Sequence, residues 1–384
     1  MTDVRVRFAP SPTGALHIGG MRTALYNYLF AKKFNGTFIL RIEDTDQTRY
    51  VEGAEKYITE ALDWFGITPE ESPDKGGAYS PYRQSERKAI YRQYAEALIE
   101  KGHAYYAFDT PDELDQLRKN DPEFRYGVKT RNKLKNSLSL SRDGAQKLVH
   151  QGDHVTVRLK IPQDEKIEFT DHIRGHVSFD SNELDDKVIL KGDGMPTYHL
   201  ANIVDDHLMK ISHVIRGEEW LSSTPHHVIM YRSLGWETPE FAHLPLILKP
   251  TGQGKLSKRD GAKFGFPVFP LSWESDNAED NFTGFREDGY LPEALRNFLA
   301  LLGWSPGDDR EILDTEVMIP LFSLDKIVKS GARFDIDKAL WFNQQYIIKT
   351  ENDRLAALVN EQAKAAGYDA VSYTHLTLPT ICSV

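Results

Sequence analysis

Residues 4–33 read VRVRFAPSPTGALHIGGMRTALYNYLFAKK, and this stretch decides the fold. The opening VRVRFAP alternates apolar and charged side chains, which predicts a strand. The loop PSPTG follows, with two prolines and a glycine. From Leu16 to Lys33 apolar residues recur at the spacing of one helix face, so the stretch predicts strand, tight loop and helix in that order.

Strand and helix patterns keep alternating beyond this unit. TFILRIEDTD predicts a second buried strand that ends in an acidic cluster, and residues 52–65 and 85–101 are predicted as amphipathic helices. Such alternation is typical of an α/β fold with a doubly wound parallel sheet, which binds ligands at the carboxyl ends of its strands. Between Thr110 and Asp186 charge is dense and strands are short, which predicts an inserted α+β unit.

We therefore predict six segments along the chain. The α/β domain is assigned to 1–109 and 187–248, with the insertion at 110–186 between its two halves. A region with a lysine-rich loop follows at 249–330, and a C-terminal helical region at 331–370. The tail 371–384 has no Asp, Glu, Lys or Arg and many β-forming residues, so it fits neither a continued helix nor a domain end.

Composition narrows the class of protein. Hydrophobic residues make up 40% of the 384 residues and charged residues 27%, as in soluble globular proteins. No apolar run approaches the roughly 20 residues of a membrane span, and no signal peptide is visible, so no membrane is expected. A single cysteine, Cys382, excludes an internal disulfide framework and a thiolate-rich zinc site, which predicts a cytoplasmic location.

Charge bears on nucleic-acid binding in two ways. The net charge of −10 argues against sequence-blind coating of nucleic acid but allows a local basic face. Between Arg125 and Val149, seven basic residues stand against Asp143 alone. Judged from charge alone, this stretch is predicted to be a solvated surface segment.

Two short stretches could bind phosphate. In the first, Gly14, His17 and Gly19 precede a predicted helix, whose N-terminus favours an anion. A histidine in this place is more often a structural cap. In the second, Lys255 and Lys258 belong to a basic loop that could close over a triphosphate. Taken alone, the pentapeptide KLSKR is better explained as an exposed basic turn.

Together the two stretches resemble the signatures of class I aminoacyl-tRNA synthetases. HIGG matches "His-Ile-Gly-His" with Gly20 in the last place, and KLSKR matches "Lys-Met-Ser-Lys-Ser" with Leu256 and Arg259 as substitutions. Longer stretches resemble bacterial-type glutamyl-tRNA synthetases over roughly Val4 to Gly367, among them FAPSPTGALHIGG, RIEDTD, PTYHLAN, VIRGEEW and LPEALRNFLALLGW. The resemblance implies a Rossmann-like catalytic domain, an insertion that meets the tRNA acceptor arm, and the start of a helical anticodon-binding domain at 331–370.

The resemblance also assigns roles to matching positions. The implied catalytic residues are His17, Lys255 and Lys258. ATP is expected to contact Ser11, Thr13, Gly14, His17, Gly19 and Lys258. Glutamate is expected to contact Arg7, Ala9, Ser11, Glu43, Tyr198, Asn202 and Arg216. tRNA contacts are expected at Arg125, Lys129, Arg131, Lys133 and Lys135, because the basic segment falls in the insertion.

Elementary chemistry fits the glutamate set. Glu43 can pair with the substrate ammonium, and the planar guanidinium groups of Arg7 and Arg216 suit its two carboxylates. Which arginine takes which carboxylate is left open. A glutamine side chain would leave a guanidinium donor poorly paired, and buried mismatches of that kind discriminate strongly.

The implied reaction joins L-glutamate to tRNA(Glu) through an acyl-adenylate, with ATP, Mg²⁺ bound to ATP, and a monomeric enzyme. Some relatives hold zinc in the insertion through cysteines. The corresponding residues here, HAYYAFDTPDEL, contain no cysteine, so we predict no zinc and no protein-bound metal.

Two other functions compete. A glutamyl-queuosine tRNA synthetase shares the catalytic core, but LPEALRNFLALLGW and the residues from Ser323 to Ile347 resemble the full synthetase. A catalytically inactive, tRNA-binding paralogue would not need Arg7, His17, Glu43, Arg216 and Lys258 together. The family-unlike tail after Ala370 leads to the hypothesis that most anticodon recognition is missing from this chain.

Overall fold

The computed structural model describes residues 3–152, 154–274, 281–365 and 367. The strands are β1 (Arg5–Phe8), β2 (Thr37–Leu40), β3 (Ala104–Ala107), β4 (Thr156–Leu159), β5 (Lys166–Asp171), β6 (Gly175–Asp180), β7 (Val188–Leu190), β8 (His213–Gly217), β9 (Glu240–Leu244), β10 (Ile247–Leu248) and β11 (Ala332–Arg333). The helices are α1 (Ile18–Lys33), α2 (Ala54–Trp64), α3 (Lys88–Glu100), α4 (Pro111–Asn120), α5 (Arg142–Gln151), α6 (Tyr198–Leu208), α7 (Thr224–Leu234), α8 (Lys258–Phe264), α9 (Pro292–Leu301), α10 (Thr315–Leu321), α11 (Ile336–Lys349) and α12 (Asn352–Ala365).

Parallel strands form the centre of the α/β region, as the sequence predicted. β1 pairs with β2 in parallel, and a second sheet has the order β6-β5-β9-β8, in which only β6 runs antiparallel to its neighbour. Ser212 joins the two sheets, because its N–H donates to the carbonyl of Arg5 and its Oγ accepts from the Arg5 N–H, each at 2.9 Å. The carboxyl ends of β1, β2 and β8 therefore face one edge, where ligands bind in such folds.

Strand pairing crosses the predicted borders of the insertion. β3, β4 and β7 form one antiparallel sheet, although β3 precedes residue 110 and β7 follows residue 186. The hairpin of β5 and β6 extends the sheet of β8 and β9, with Asp171 opposite Phe241. Dense charge and short strands led to the predicted insertion, but β6 is an edge strand of this sheet, where side chains alternate between half-buried and exposed. The six-segment division remains a prediction.

The core is built around α1. Ile18, Met21, Leu25 and Leu29 repeat at the predicted helical spacing and are fully buried. On another side of α1, Arg22 is buried and donates to the carbonyls of Leu302 and Pro245, which fixes the helix against the end of α9 and the turn after β9. Among the described residues, no helix is both long and apolar enough to cross a membrane. The predicted tail 371–384 lies outside the described residues.

Candidate active site

The first signature lies where predicted, between β1 and α1. His17 is the N-cap of α1, and its Nδ1 accepts the Gly19 N–H at 3.1 Å. Nδ1 therefore carries no proton in the neutral ring, so the ring proton is on Nε2, which makes Nε2 a hydrogen-bond donor. His17 can thus cap the helix through Nδ1 and still donate to a ligand through Nε2, so the two interpretations of this histidine are compatible. Gly14 has a φ of 123°, a conformation that suits glycine and lets the backbone approach a ligand.

A cavity of about 760 Å³ opens beside this loop. Thr13 and Gly14 line one side, and Arg259 and Gly261 of the second signature line another. The volume is in the range of small-molecule sites, so the two signatures share space of the size that a nucleotide needs.

A buried network of arginines and acids lies beneath the carboxyl ends of β1 and β2. Arg7 donates from Nε and Nη2 to the two carboxylate oxygens of Asp206, at 3.0 and 3.1 Å. Arg41 donates to Asp206 at 2.8 Å and to Glu43 at 3.1 Å. Arg87 donates to the neighbouring Asp205 at 2.7 Å. Three arginines thus face three acids, and all six side chains are buried.

This network controls the charge state of its acids. Burial pushes the pKa of Asp206 upward, but Arg7 and Arg41 outweigh burial and hold that pKa below its usual range. At Glu43 burial wins over Arg41, and its pKa lies above the usual range. Oε1 of Glu43 accepts from Arg41 and Asn202, while Oε2 hydrogen-bonds no residue in the described ranges. Oε2 is therefore the oxygen that a substrate ammonium could reach.

Arg216 has entirely different neighbours. Its Nη1 donates to the hydroxyl of Tyr198 at 2.7 Å, its Nη2 to Oγ1 of Thr224 at 2.9 Å, and its Nε to Nε2 of His243 at 3.0 Å. None of these three groups is negatively charged. The positive charge of Arg216, which is only 5% exposed, is thus not neutralised by direct contact with an acid in the part of the chain that the structure describes.

An aromatic pair lies beside Arg216. The rings of Tyr198 and Trp220 lie 4.2 Å apart at an angle of 31°, and Trp220 is 40% exposed. Burial raises the pKa of Tyr198 to about 12, so its hydroxyl keeps its proton and can also act as a donor. Ala9 is half-buried and Ser11 exposed in the loop after β1, so the predicted glutamate residues line one region around the ends of β1, β2 and β8.

The lysine loop is held by contacts at the surface. Lys255 donates to Oε1 of Glu219 at 2.7 Å, and the two side chains are 53% and 42% exposed. Lys258 begins α8, and Ser257 with Asp260 forms a capping box at that helix start. Hydrogen bonds from Ser257 are the main cause that lowers the pKa of Asp260 to about 2. Lys255 thus forms an ion pair with a glutamate of its own chain. The side chain of Lys258 lies outside the part of the chain that the structure describes.

The predicted tRNA residues divide into two groups. Arg125, Lys129, Lys133 and Lys135 are exposed. Arg131 is only 5% exposed, pairs with Asp186 at 3.1 Å and donates to the carbonyl of Ile161 at 2.7 Å. Because its guanidinium is enclosed by these partners, Arg131 cannot contact tRNA phosphates in this conformation. Four of these basic residues are at the surface, as the run of charge indicated. The fifth, Arg131, belongs to an internal ion pair with Asp186, which the charge pattern did not predict.

Within the described ranges, one group of side chains has the spacing of a metal site. His172, His213 and Glu240 bring their ligand atoms within 4.8 Å of one another at the amino-terminal ends of β8 and β9. His172 already contacts the carboxylate of Glu240, and this group lies at the opposite end of β8 from Arg216. No such group adjoins the two signatures in the part of the chain that is described.

Comparison with known proteins identifies the family. Residues 3–341 match the catalytic domain of class I tRNA synthetases (E and Q). A glutamate–tRNA ligase of Flavobacterium johnsoniae is 59% identical over 358 residues, which make up 92% of this chain and 71% of the relative. The corresponding enzyme of Christiangramia forsetii is 60% identical over 359 residues, with the same shares of the two chains. The chain belongs to the glutamate–tRNA ligase family.

A solved structure agrees with this assignment. The glutamate tRNA ligase of Elizabethkingia meningosepticum, crystallised in complex with its amino acid, matches with a TM-score of 0.93 at 55% identity. The match covers 96% of this chain and 74% of the other. The predicted resemblance to glutamyl-tRNA synthetases and the predicted class I α/β fold are confirmed.

Sequence reasoning missed residues that contact Arg7 and Arg216. Arg41 was visible in RIEDTD and Asp206 in VDDHL, but the local sequence does not show whether such charged residues are solvated or buried. His243 was visible in FAHLPL as a polar residue inside an apolar strand, a pattern that indicates a buried histidine with partners. No local signal predicted that Asp171 would lie beside it.

Proposed function

We propose that this chain joins L-glutamate to the 3′-terminal adenosine of tRNA(Glu), with conversion of ATP to AMP and diphosphate. The observation that carries the proposal is the buried, uncompensated charge of Arg216 beside Tyr198, in a fold shared with glutamate–tRNA ligases. A buried cation without an acidic partner is costly, so it favours a ligand that brings a carboxylate.

The two arginines then have different roles. Arg216 would pair with a substrate carboxylate, because its present partners are neutral. Arg7 shares its charge with Asp206, and Nη1 is its one nitrogen without a hydrogen bond in the described ranges, so Nη1 would be the nitrogen that donates to the substrate. Oε2 of Glu43 would accept from the ammonium. Glutamine lacks the second charge, and its NH₂ group facing a guanidinium would leave donors unpaired.

The chemistry requires positioning and charge stabilisation and no covalent enzyme intermediate. The α-carboxylate of glutamate attacks the α-phosphorus of ATP, an O–P bond forms, and the bond to diphosphate breaks. The Nε2–H of His17 would donate to a phosphate oxygen, and Lys258 and Lys255 would neutralise the departing diphosphate. The 2′-hydroxyl of the tRNA adenosine then attacks the carbonyl carbon, and AMP leaves.

Lys255 must change partner for this role, since Glu219 holds it in the described state. An exposed ion pair of this kind contributes little, so the exchange is easy. Mg²⁺ would arrive on the ATP phosphates, which supply the hard oxygen ligands that this ion prefers. We further propose a cytoplasmic monomer whose exposed Arg125, Lys129, Lys133 and Lys135 meet the acceptor arm of tRNA.

The test is tRNA-dependent transfer of labelled glutamate with ATP, in the chain and in a Lys258→Ala variant. Unmodified tRNA(Glu) and queuosine-bearing tRNA(Asp) serve as alternative acceptors. An alkali-labile ester at the 3′ end of tRNA(Glu), lost in the variant, supports the proposal. Label on the queuosine base would move the assignment to the queuosine-modifying paralogue, and absence of transfer to both acceptors would contradict activity of this chain.

A further inference from the structure

Asp171, His243 and Arg216 form a buried chain of contacts behind the glutamate pocket. Arg216 on β8 lies directly opposite His243 on β9 in the parallel pair. Nδ1 of His243 lies 2.6 Å from Oδ2 of Asp171, and Nε2 of the same ring accepts from Nε of Arg216 at 3.0 Å. His243 is 0% exposed and Asp171 is 1% exposed.

The proton positions follow from these partners. The carboxylate of Asp171 can only accept, so Nδ1 of His243 must carry the proton of the neutral ring. Nε2 then holds the lone pair that receives the N–H of Arg216. Burial, only partly offset by Asp171, lowers the pKa of His243 to about 4, which agrees with a neutral ring at neutral pH.

Asp171 is itself held in place by the backbone. Its Oδ1 accepts the N–H groups of Ile173 and Arg174 at 2.9 and 2.8 Å, and its Oδ2 accepts the N–H of His243 at 3.1 Å. The carboxylate therefore cannot swing toward Arg216, and the imidazole separates the two charges.

We propose that Asp171 and His243 are a positioning pair that aims the guanidinium of Arg216 at the substrate carboxylate and keeps its charge available for it. His243 fixes the Nε side of the guanidinium without neutralising its positive charge. An acid in the same place would neutralise that charge. Asp171 fixes the tautomer of His243. The inference rests on the proposed function, since it concerns the selection of glutamate by the same pocket.

Four variants of the full chain test the pair, with KM for glutamate and kcat measured in tRNA-dependent transfer. His243→Phe keeps the ring volume and removes the acceptor. Asp171→Asn keeps the shape but turns an amide N–H toward Nδ1, which shifts the ring proton to Nε2 and sets it against the Arg216 N–H. Loss of the hydrogen bond between Arg216 and His243 predicts a rise in KM of about tenfold or more in each variant, with a much smaller change in kcat.

The other two variants separate positioning from a merely structural effect. His243→Gln offers an acceptor oxygen at about the reach of Nε2 and should recover most of the lost affinity. The double variant of Asp171→Asn and His243→Phe should show the KM of His243→Phe alone, because the aspartate acts through the imidazole. His226→Phe is the matched control: His226 is also buried, but its Nε2 contacts the carbonyl of Asp185, so KM should not change.

The outcomes are distinct. An unchanged KM in His243→Phe, or fully additive effects in the double variant, would overturn the positioning pair while the proposed function stands. Failure of the unsubstituted chain both to bind labelled glutamate and to transfer it would overturn the proposed function and the pair together. A raised KM that His243→Gln restores, with the non-additive double variant, supports the pair.

Discussion

Charged side chains are arranged in opposite ways in the two halves of this site. Around Arg7, Arg41 and Asp206 every charge is buried and bonded to another buried group. Around Lys255 the same kinds of side chain meet in solvent, with about half of each surface exposed. A buried network resists rearrangement because each broken contact leaves a desolvated charge, whereas an exposed pair exchanges partners at little cost. Under the proposed function, the half around Arg7 that would bind glutamate is preformed, and the lysine loop can change partners when the phosphates of ATP arrive.

Asp206→Asn should have the largest effect on stability. The substitution leaves Arg7 and Arg41 with one buried carboxylate fewer, and removal of one partner from such a network costs about 3–5 kcal/mol of unfolding free energy. Urea unfolding measures the change. Asp115→Asn removes an equally charged partner from the exposed Arg118 pair and should change stability by less than ~1 kcal/mol. Similar losses of unfolding free energy in both variants would contradict the difference between buried and exposed charges.

Arg216→Gln tests the glutamate half for function. The variant keeps a hydrogen-bonding side chain but removes the charge, so kcat/KM for glutamate should fall by about 100- to 1,000-fold, as expected for a lost buried charge pair. Initial rates at several glutamate concentrations provide the value. Retention of kcat/KM within a few-fold would show that another residue binds the carboxylate.

Acidification should destabilise the fold through two buried histidines, His199 on α6 and His226 on α7. Burial lowers the pKa of His199 to about 3 and the pKa of His226 to about 4, while an unfolded histidine titrates near 6.5. The unfolded chain therefore binds protons first, and the stabilisation is complete above about pH 6.5 and lost as pH falls toward 4. Each histidine contributes a slope of about 1.4 kcal/mol per pH unit in that window.

The His226→Phe variant isolates this slope. Its free energy of unfolding should depend less steeply on pH between 6.5 and 4 than that of the unsubstituted chain, by the contribution of one histidine. Asp186 has the opposite effect on the pH dependence of stability, because burial raises its pKa to about 6. The difference between the variant and the unsubstituted chain removes this contribution, which is present in both. Parallel curves would contradict a neutral, buried His226.

Glu219→Gln should have the smallest effect. It removes an exposed partner of Lys255, so the free energy of unfolding should change by less than ~1 kcal/mol. Transfer of glutamate should not slow, since release of Lys255 only removes a competitor of the phosphates. A large loss of stability in urea unfolding would show that the lysine loop is as firmly built as the glutamate pocket.

Sequence patterns predicted what depends on neighbours along the chain. The spacing of apolar residues in α1 and the glycine-containing turn before it follow from local periodicity and glycine placement. Arg7, Glu43, Tyr198, Asn202 and Arg216 were found through resemblance, and the fold brings them to one region. Contacts between distant segments were beyond prediction, because the Arg7–Asp206 pair and the Asp171–His243 pair join residues 199 and 72 positions apart.

The central claim, a preformed glutamate half beside an adaptable lysine loop, is tested most directly by amide hydrogen exchange. The account predicts slow exchange in α6 and β8 of the substrate-free chain and fast exchange in residues 249–257. Addition of ATP and glutamate should then slow exchange chiefly in 249–257. Fast exchange across α6 and β8 before substrates are added, followed by strong protection there, would contradict the claim.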